Sequence, residues 1–322
     1  MTAIAMPKKE PQDPASVVLG TMNFGKRTPA PDAERIVRRA LERGVGVFDT
    51  ANFYNAGESE RILGKALGKD RDRVVVVSKA GLGLVPGKPE GLSPAAIEAQ
   101  LQGSLERLGA SAVDLYLLHV PDRTTPIERT LDGMKALIDT GKVHAWGASN
   151  YAAWELLEMD HLADARGMAR PIATQLLYNA LHRQLDVEYF AFARRYPIHT
   201  MTYNALAGGL LSGQHSWSSA PEKGSRFDGN AIYQRRYWTA SMFERLEQLR
   251  RVADREGCSL VDLAYAWLSR RPGVDSIVVG PASEEHLDRA LDAVARKLSK
   301  DATAAIDDLA KTWSGTDTNY VR

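Results

Sequence analysis

The chain has 322 residues and a mass of 35.3 kDa, enough for one large barrel or two ordinary domains. Its 41 basic and 40 acidic residues leave a formal charge of +1, so no nucleic acid or other polyanionic partner is announced. The lone cysteine, Cys258, excludes an internal disulfide; no segment approaches about 18 uninterrupted apolar residues, so no membrane span is expected and the chain reads as cytoplasmic. MTAIAMPKKEPQDP at the N-terminus lacks a continuous apolar run and reads as a short leader strand or a loose end.

Residues 17–20, VVLG, form the first candidate strand. DAERIVRRALERG follows with Ile36, Val37, Ala40 and Leu41 on helical spacing, and closes on Gly44. The next run places Val45, Val47 and Asp49 on one parity, with Tyr54 five residues on in a loop containing Asn and Gly. ESERILGKALG reads as a helix and residues 74–78 as a strand, with Val75, Val77 and Lys79 on one face. Ser93 and Pro94 open a helix with Ile97, Leu101, Leu105 and Leu108 along one stripe. Residues 113–118 then carry Val113, Leu115 and Leu117 in a row that ends at His119. Side chains alternate across a strand, so three apolar rows each finish in one ionisable group.

The alternation continues with a helix at 127–139, the strand VHAWGAS, the helix YAAWELLEMDHLA and the strand IATQLLY. VEYFAFARRY is a helix and IHTMTY a strand. Residues 204–238 form a long lid-like loop without evident periodicity. Helical patterns at 239–255 and 259–270 precede the eighth strand, SIVVG, and the helix EEHLDRALDAVARKL. Residues 301–312 read as a trailing helix. Eight strand–helix units predict a single α/β domain over 1–322, a (β/α)₈ TIM barrel with a long loop after strand 7 and a C-terminal tail. A doubly wound sheet would also alternate, but no Gly-rich dinucleotide fingerprint follows the first strand.

Asp49, Tyr54, Lys79 and His119 stand in the order and approximate spacing of the catalytic tetrad of the aldo-keto reductase superfamily, which the chain resembles over nearly its whole length. YNALAGGLLSG at 203–213, RFDGN at 226–230, YQRRYW at 233–238 and the terminal NYVR resemble the aflatoxin-aldehyde and succinic-semialdehyde reductase branch. The resemblance implies NADPH-dependent reduction of aldehydes or ketones, with aromatic aldehydes, dicarbonyls and short semialdehydes as substrate classes. Two other roles are open: alcohol oxidation with NAD(P)+ at the same site, and a cofactor-binding regulatory subunit like the potassium-channel beta subunits. The branch resemblance also implies a homodimer, although no interface signature is evident.

The chemistry suits these residue types. A carbonyl oxygen that receives a hydride needs a proton as negative charge develops, and Tyr54 is the candidate acid. Lys79 would stabilise phenolate, Asp49 would hold Lys79, and His119 would orient the carbonyl. Taken singly, each has a structural reading: an ion pair for Asp49 and Lys79, packing for Tyr54, a satisfied strand-end residue for His119. No ligands cluster around His119 at metal-binding spacing, so no metal is expected.

The cofactor residues follow from the resemblance. Ser149, Asn150 and Gln175 would bind the nicotinamide carboxamide and Tyr203 would stack on the ring. Asn204, Leu206 and Gly208 belong to the segment around the pyrophosphate, and Gly280, Ser283 and His286 to the adenosine end. On residue type alone, Ser149, Asn150 and Ser283 also read as helix caps, Gln175 as a core hydrogen-bonding group and AGGLLSG as an ordinary turn. Three positions depart from the family: Ala205 replaces proline, Gln214 replaces lysine and Ala290 replaces asparagine. Arg226 remains as a cation for cofactor phosphate or a substrate anion, so NADPH is expected to be favoured over NADH by less than a fully basic pocket would achieve. Arg236, in YQRRYW, is the expected anion contact to substrate. The aromatics Trp217, Phe227, Tyr233, Tyr237 and Trp238 are expected to cover the ligand's body.

Overall fold

The computed structural model describes Met6 and residues 8–314; NYVR lies outside the described residues. In chain order the strands are β1 (Ser16–Gly20), β2 (Val47–Asp49), β3 (Val75–Ala80), β4 (Val113–Leu118), β5 (Val143–Ser149), β6 (Ala173–Leu177), β7 (His199–Tyr203) and β8 (Ser276–Val279). Each pairs in parallel with its sequence neighbours, and β8 pairs with β1, which closes the barrel. The helices are α1 (Ala30–Glu42), α2 (Glu58–Leu67), α3 (Pro94–Leu108), α4 (Ile127–Asp139), α5 (Ala153–Ala165), α6 (Tyr189–Arg195), α7 (Ala231–Tyr237), α8 (Ala240–Glu256), α9 (Leu260–Ser269), α10 (Glu284–Ala295) and α11 (Lys300–Ser314).

The two apolar layers follow from strand alternation. Val18, Val77, Leu115, Leu117, Ala145, Ala173 and Met201 fill the barrel interior. The opposite parity, including Leu19, Phe48, Val76, Tyr116, Leu118 and Trp146, packs beneath the helices. At β5–β6 the strands approach closely: a Cβ on Gly147 would stand 2.0 Å from the Ala173 carbonyl oxygen, so no side chain fits there. The expected caps form, since Ser93 accepts from the Ala96 amide and Gly44 takes a left-handed φ of 79° after α1. Because every strand runs the same way, Asp49, Lys79, His119, Ser149, Gln175 and Tyr203 all arrive at the C-terminal mouth.

The segment after β7 differs from the aperiodic loop expected. It contains a 3₁₀ turn (Ala207–Ser212) and the helix α7, capped by the Asn230 side chain accepting from the Tyr233 amide. The trailing helix α11 is tied down through Asp307, which accepts from Arg183 at 3.0 Å and from Arg271 at 3.0 Å. Among the described residues no helix is long and apolar enough to cross a membrane.

Candidate active site

β2 is only three residues long, and it delivers Asp49 to the mouth, buried to 1%. The turn that follows is conformationally costly: Asn55 and Ala56 both adopt left-handed φ values, 53° and 54°. For a residue with a Cβ this costs on the order of 1–2 kcal/mol. Asn55 is held there by its side-chain amide, which donates to the Met22 and Phe24 carbonyls. The turn thereby fixes Tyr54 beside Lys79.

Lys79 is fully buried, and its ammonium spends all three donors. It donates to Asp49 Oδ2 at 2.7 Å, to the Thr50 carbonyl at 2.8 Å and to the Tyr54 hydroxyl oxygen at 3.2 Å. Since Tyr54 accepts from a cation that has no lone pair to offer in return, the phenolic proton must point elsewhere. Asp49 is equally committed, for its Oδ1 accepts from Gln175 Nε2 at 2.7 Å. His119 completes the group, its ring centroid 5.9 Å from that of Tyr54 in an edge-on arrangement.

Burial sets the protonation states. It raises the Tyr54 phenol well above its ordinary value, with Asp49 and Tyr233 adding to the effect and Arg226 opposing it. It lowers Lys79, an effect that Asp49 opposes. It also drives His119 well below the ordinary imidazole value, and the Lys79 charge acts in the same direction. At neutral pH the phenol therefore holds its proton and the imidazole is neutral. His119 Nδ1 is buried without a hydrogen-bond partner, whereas Nε2 is not so enclosed. An orphaned lone pair is tolerated more readily than an orphaned N–H, so the ring proton belongs on Nε2.

A second group adjoins the first. Asn150, with φ 65°, donates from Nδ2 to the His119 carbonyl at 2.9 Å and to Ser149 Oγ at 3.0 Å. Ser149 donates to the Gln175 carbonyl, and the Tyr203 hydroxyl donates to Asn150 Oδ1 at 2.7 Å. Burial pushes the Tyr203 phenol up to about 12, with Arg236 pulling the other way. The side chains of Ser149, Asn150 and Tyr203 thus form one hydrogen-bonded patch, which Gln175 joins through its backbone carbonyl while its side chain reaches Asp49.

The other predicted site residues lie around this centre at different removes. Asn204 accepts the Gly208 amide at its side-chain oxygen and donates to the Tyr237 hydroxyl, so the Gly208 N–H is already engaged. A Cβ on Gly208 would lie 2.7 Å from the Tyr233 ring, which covers that face. Leu206 contributes its carbonyl, which accepts from Gly209 and Leu211. Arg226 reaches across the mouth to donate to Asn23 Oδ1 at 2.7 Å, and Asn23 in turn donates to the Gly280 carbonyl at 3.1 Å. Arg27 donates to the Ser225 carbonyl, a second tie between the loops after β1 and β7. Ser283 caps α10 by accepting from the His286 amide, and neither residue bonds to the tetrad or the amide patch. Gln214 is exposed and Ala290 is buried.

The aromatics of this loop are distributed otherwise than expected. Phe227 and Tyr237 are fully buried, and His215, Trp217, Trp238 and Phe243 pack with Phe227 in one cluster. Phe227, Tyr237 and Phe243 hold the loop down by mutual burial, whereas Trp217 remains 51% exposed at the edge of the cluster. Tyr233 alone is half-buried between two guanidiniums, with Arg226 at 5.4 Å and Arg236 at 5.9 Å from its ring. Neither arginine has a carboxylate partner among the described residues, and Arg235 points outward, exposed. Asn23 is a site residue that the sequence does not announce, since nothing in the periodicity of VVLGTMN marks it, whereas Tyr233 is expected only as one of five loop aromatics and not as the ring between two arginines.

The Aldo/keto reductase family model matches residues 16–311. Aflatoxin B1 aldehyde reductase member 2 of Homo sapiens is 37% identical over 306 residues, covering 90% of this chain and 84% of that protein. Aldo-keto reductase family 7 member A3 of Homo sapiens is 36% identical over 293 residues, covering 86% and 87%. A probable voltage-gated potassium channel subunit beta of Oryza sativa subsp. japonica is 31% identical over 272 residues, covering 83% of each. With nearly all of the barrel matched by the family model, the chain belongs to the Aldo/keto reductase family.

Proposed function

We propose that this chain is an NADPH-dependent reductase of aldehydes or ketones in which Tyr54 is the proton donor. The observation that carries the reading is the saturation of Lys79: with Asp49, Thr50 and Tyr54 as its acceptors, the ammonium leaves the phenolic proton free to go to substrate. His119 carries its proton on Nε2 and donates it to the same carbonyl oxygen, which orients the substrate. As the oxygen gains negative charge, Tyr54 transfers its proton and Lys79 stabilises the phenolate left behind.

The residues present fit a nicotinamide dinucleotide. Ser149, Asn150 and Gln175 form an amide-rich patch suited to a carboxamide, and Tyr203, pinned through its hydroxyl, offers a ring face beside it. Arg226, free of any carboxylate, suits a phosphate. When bound, the cofactor supplies the hydride. The name of one human relative, Aflatoxin B1 aldehyde reductase member 2, supports the direction of reduction. Equilibrium titration with NADPH and NADH at fixed ionic strength tests the cofactor, and turnover of a carbonyl panel tests the reaction. NADPH binds more tightly; equal or tighter NADH binding removes the 2′-phosphate argument.

The regulatory-subunit reading draws on the rice relative. It predicts tight NADPH binding without turnover of any carbonyl. The hydrogen-bonded Asp49–Lys79–Tyr54 group with His119 edge-on beside Tyr54 favours the enzyme.

Arg236 is the proposed contact for an anionic substrate group, since it is half-buried beside Tyr233 and its charge reaches Tyr203. Arg236→Ala lowers kcat/KM for 2-carboxybenzaldehyde or succinic semialdehyde more than for a neutral aldehyde. One lost charge-assisted contact is worth about 1.5–3 kcal/mol, or roughly 10- to 150-fold. The comparison is made at saturating NADPH with cofactor Kd measured separately. Equal losses for charged and neutral substrates defeat the assignment.

A further inference from the structure

Gln175 belongs to two groups at once. It sits in β6 opposite Ser149, is 3% exposed, and is separated by 126 residues from the Asp49 carboxylate it touches. A carboxylate only accepts, so the side-chain nitrogen must face Asp49, and this fixes the orientation of the amide. Its Oε1 then lies on the other side, with no hydrogen-bond partner among the described residues, and it is not closed off from solvent. The neighbouring polar groups are already engaged: Asn150 Oδ1 accepts from Tyr203, and Ser149 donates to the Gln175 carbonyl. Gln175 Oε1 is thus the unclaimed acceptor of the patch, on the same amide that holds the tetrad's carboxylate.

We propose that Gln175 is a positioning residue that couples the nicotinamide carboxamide site to proton delivery by Tyr54, acting through Asp49 and Lys79. The proposal rests on the reductase reading given above. A carboxamide N–H donating to Oε1 polarises the side-chain amide, which strengthens the Nε2–H bond to Asp49 Oδ1. Charge drawn toward Oδ1 is charge withdrawn from Oδ2, where Lys79 binds. The ammonium is then less neutralised by its partner and stabilises phenolate more strongly at the hydroxyl 3.2 Å away. Cofactor occupancy thereby makes Tyr54 a better acid. By reciprocity, the state of Asp49 alters cofactor affinity.

Two double-mutant cycles test the link. The first measures NADPH Kd by quenching of protein fluorescence for the parent, Gln175→Met, Asp49→Asn and the double variant. Gln175→Met weakens binding in the parent, and the loss shrinks by about fivefold when Asp49 is already Asn, within the range of direct couplings. The second cycle pairs Gln175→Met with Tyr54→Phe and follows single-turnover hydride transfer at saturating NADPH. Gln175→Met slows the parent by about tenfold, and this loss disappears in the Tyr54→Phe background, although NADPH binding is weakened in both. A plain carboxamide contact gives additive losses in both cycles, and that result overturns the coupling. If Asp49→Asn does not fold by circular dichroism, the second cycle alone decides. A parent protein that binds no nicotinamide dinucleotide overturns the reductase reading and the coupling with it, whereas binding with additive losses overturns the coupling alone.

Discussion

Tyr54→Phe abolishes most carbonyl reduction and leaves the barrel folded, with a loss in turnover of about 10²–10⁴-fold, the scale of a positioned proton transfer. The substitution removes one oxygen that accepts from Lys79 at 3.2 Å, while Asp49 and Thr50 retain the two shorter bonds at 2.7 and 2.8 Å. The ammonium stays paired, and the phenyl ring still lies beneath it, 4.9 Å from nitrogen to ring centroid. Stability accordingly falls by about 1–3 kcal/mol, the cost of leaving one buried ammonium N–H without its acceptor. Single-turnover reduction with NADPH bound separates this loss from cofactor affinity, since neither Asn150 nor Tyr203 is disturbed. Near-parental hydride transfer in the folded variant sinks the assignment of Tyr54 as acid.

What the chain disclosed beforehand was whatever depends on local spacing. Val75, Val77 and Lys79 share a face because strands alternate, and the same rule carries Leu115 and Leu117 toward His119; the closed barrel brings these endings to one mouth. The caps at Ser93 and Gly44 are likewise local chemistry. Contacts between distant segments were not readable in this way. Gln175 is a polar residue in an apolar strand, and only the barrel's closure shows that its partner is Asp49. The same holds for Arg226, whose bond to Asn23 spans 203 residues. The loop after β7 shows where composition stops being informative. Its aromatics suggest a ligand cover by composition, yet Phe227 and Tyr237 are fully buried beneath it. Ring composition alone does not distinguish a surface that binds from one that anchors. Burial sets Phe227 and Tyr237 apart as anchors, and the two flanking guanidiniums single out Tyr233.

Lys79→Met has the largest expected effect on stability, because the site holds a carboxylate and an ammonium almost wholly out of water. The two side chains are 2% and 0% exposed and 2.7 Å apart. Such a pair contributes little net stability over an apolar pair of similar shape, since desolvation offsets the attraction. Removing one member is different: the Asp49 carboxylate is left buried with Gln175 as its remaining side-chain donor. Breaking a buried pair in this way costs about 3–5 kcal/mol. Lys79→Met therefore lowers the midpoint of chemical unfolding substantially, and it also slows reduction because phenolate at Tyr54 loses its cation. Adding Asp49→Asn relieves the first effect by making the partner neutral, so the double variant is more stable than Lys79→Met alone. It does not restore turnover, because no cation returns beside the phenol. Urea unfolding of the parent, both single variants and the double variant reads the stability coupling, and single-turnover kinetics reads the other. If Lys79→Met unfolds at the parental midpoint, the buried charge of Asp49 is being compensated by something other than Lys79. If the double variant recovers activity along with stability, Lys79 serves only to hold Asp49, and the stabilisation of phenolate must come from elsewhere.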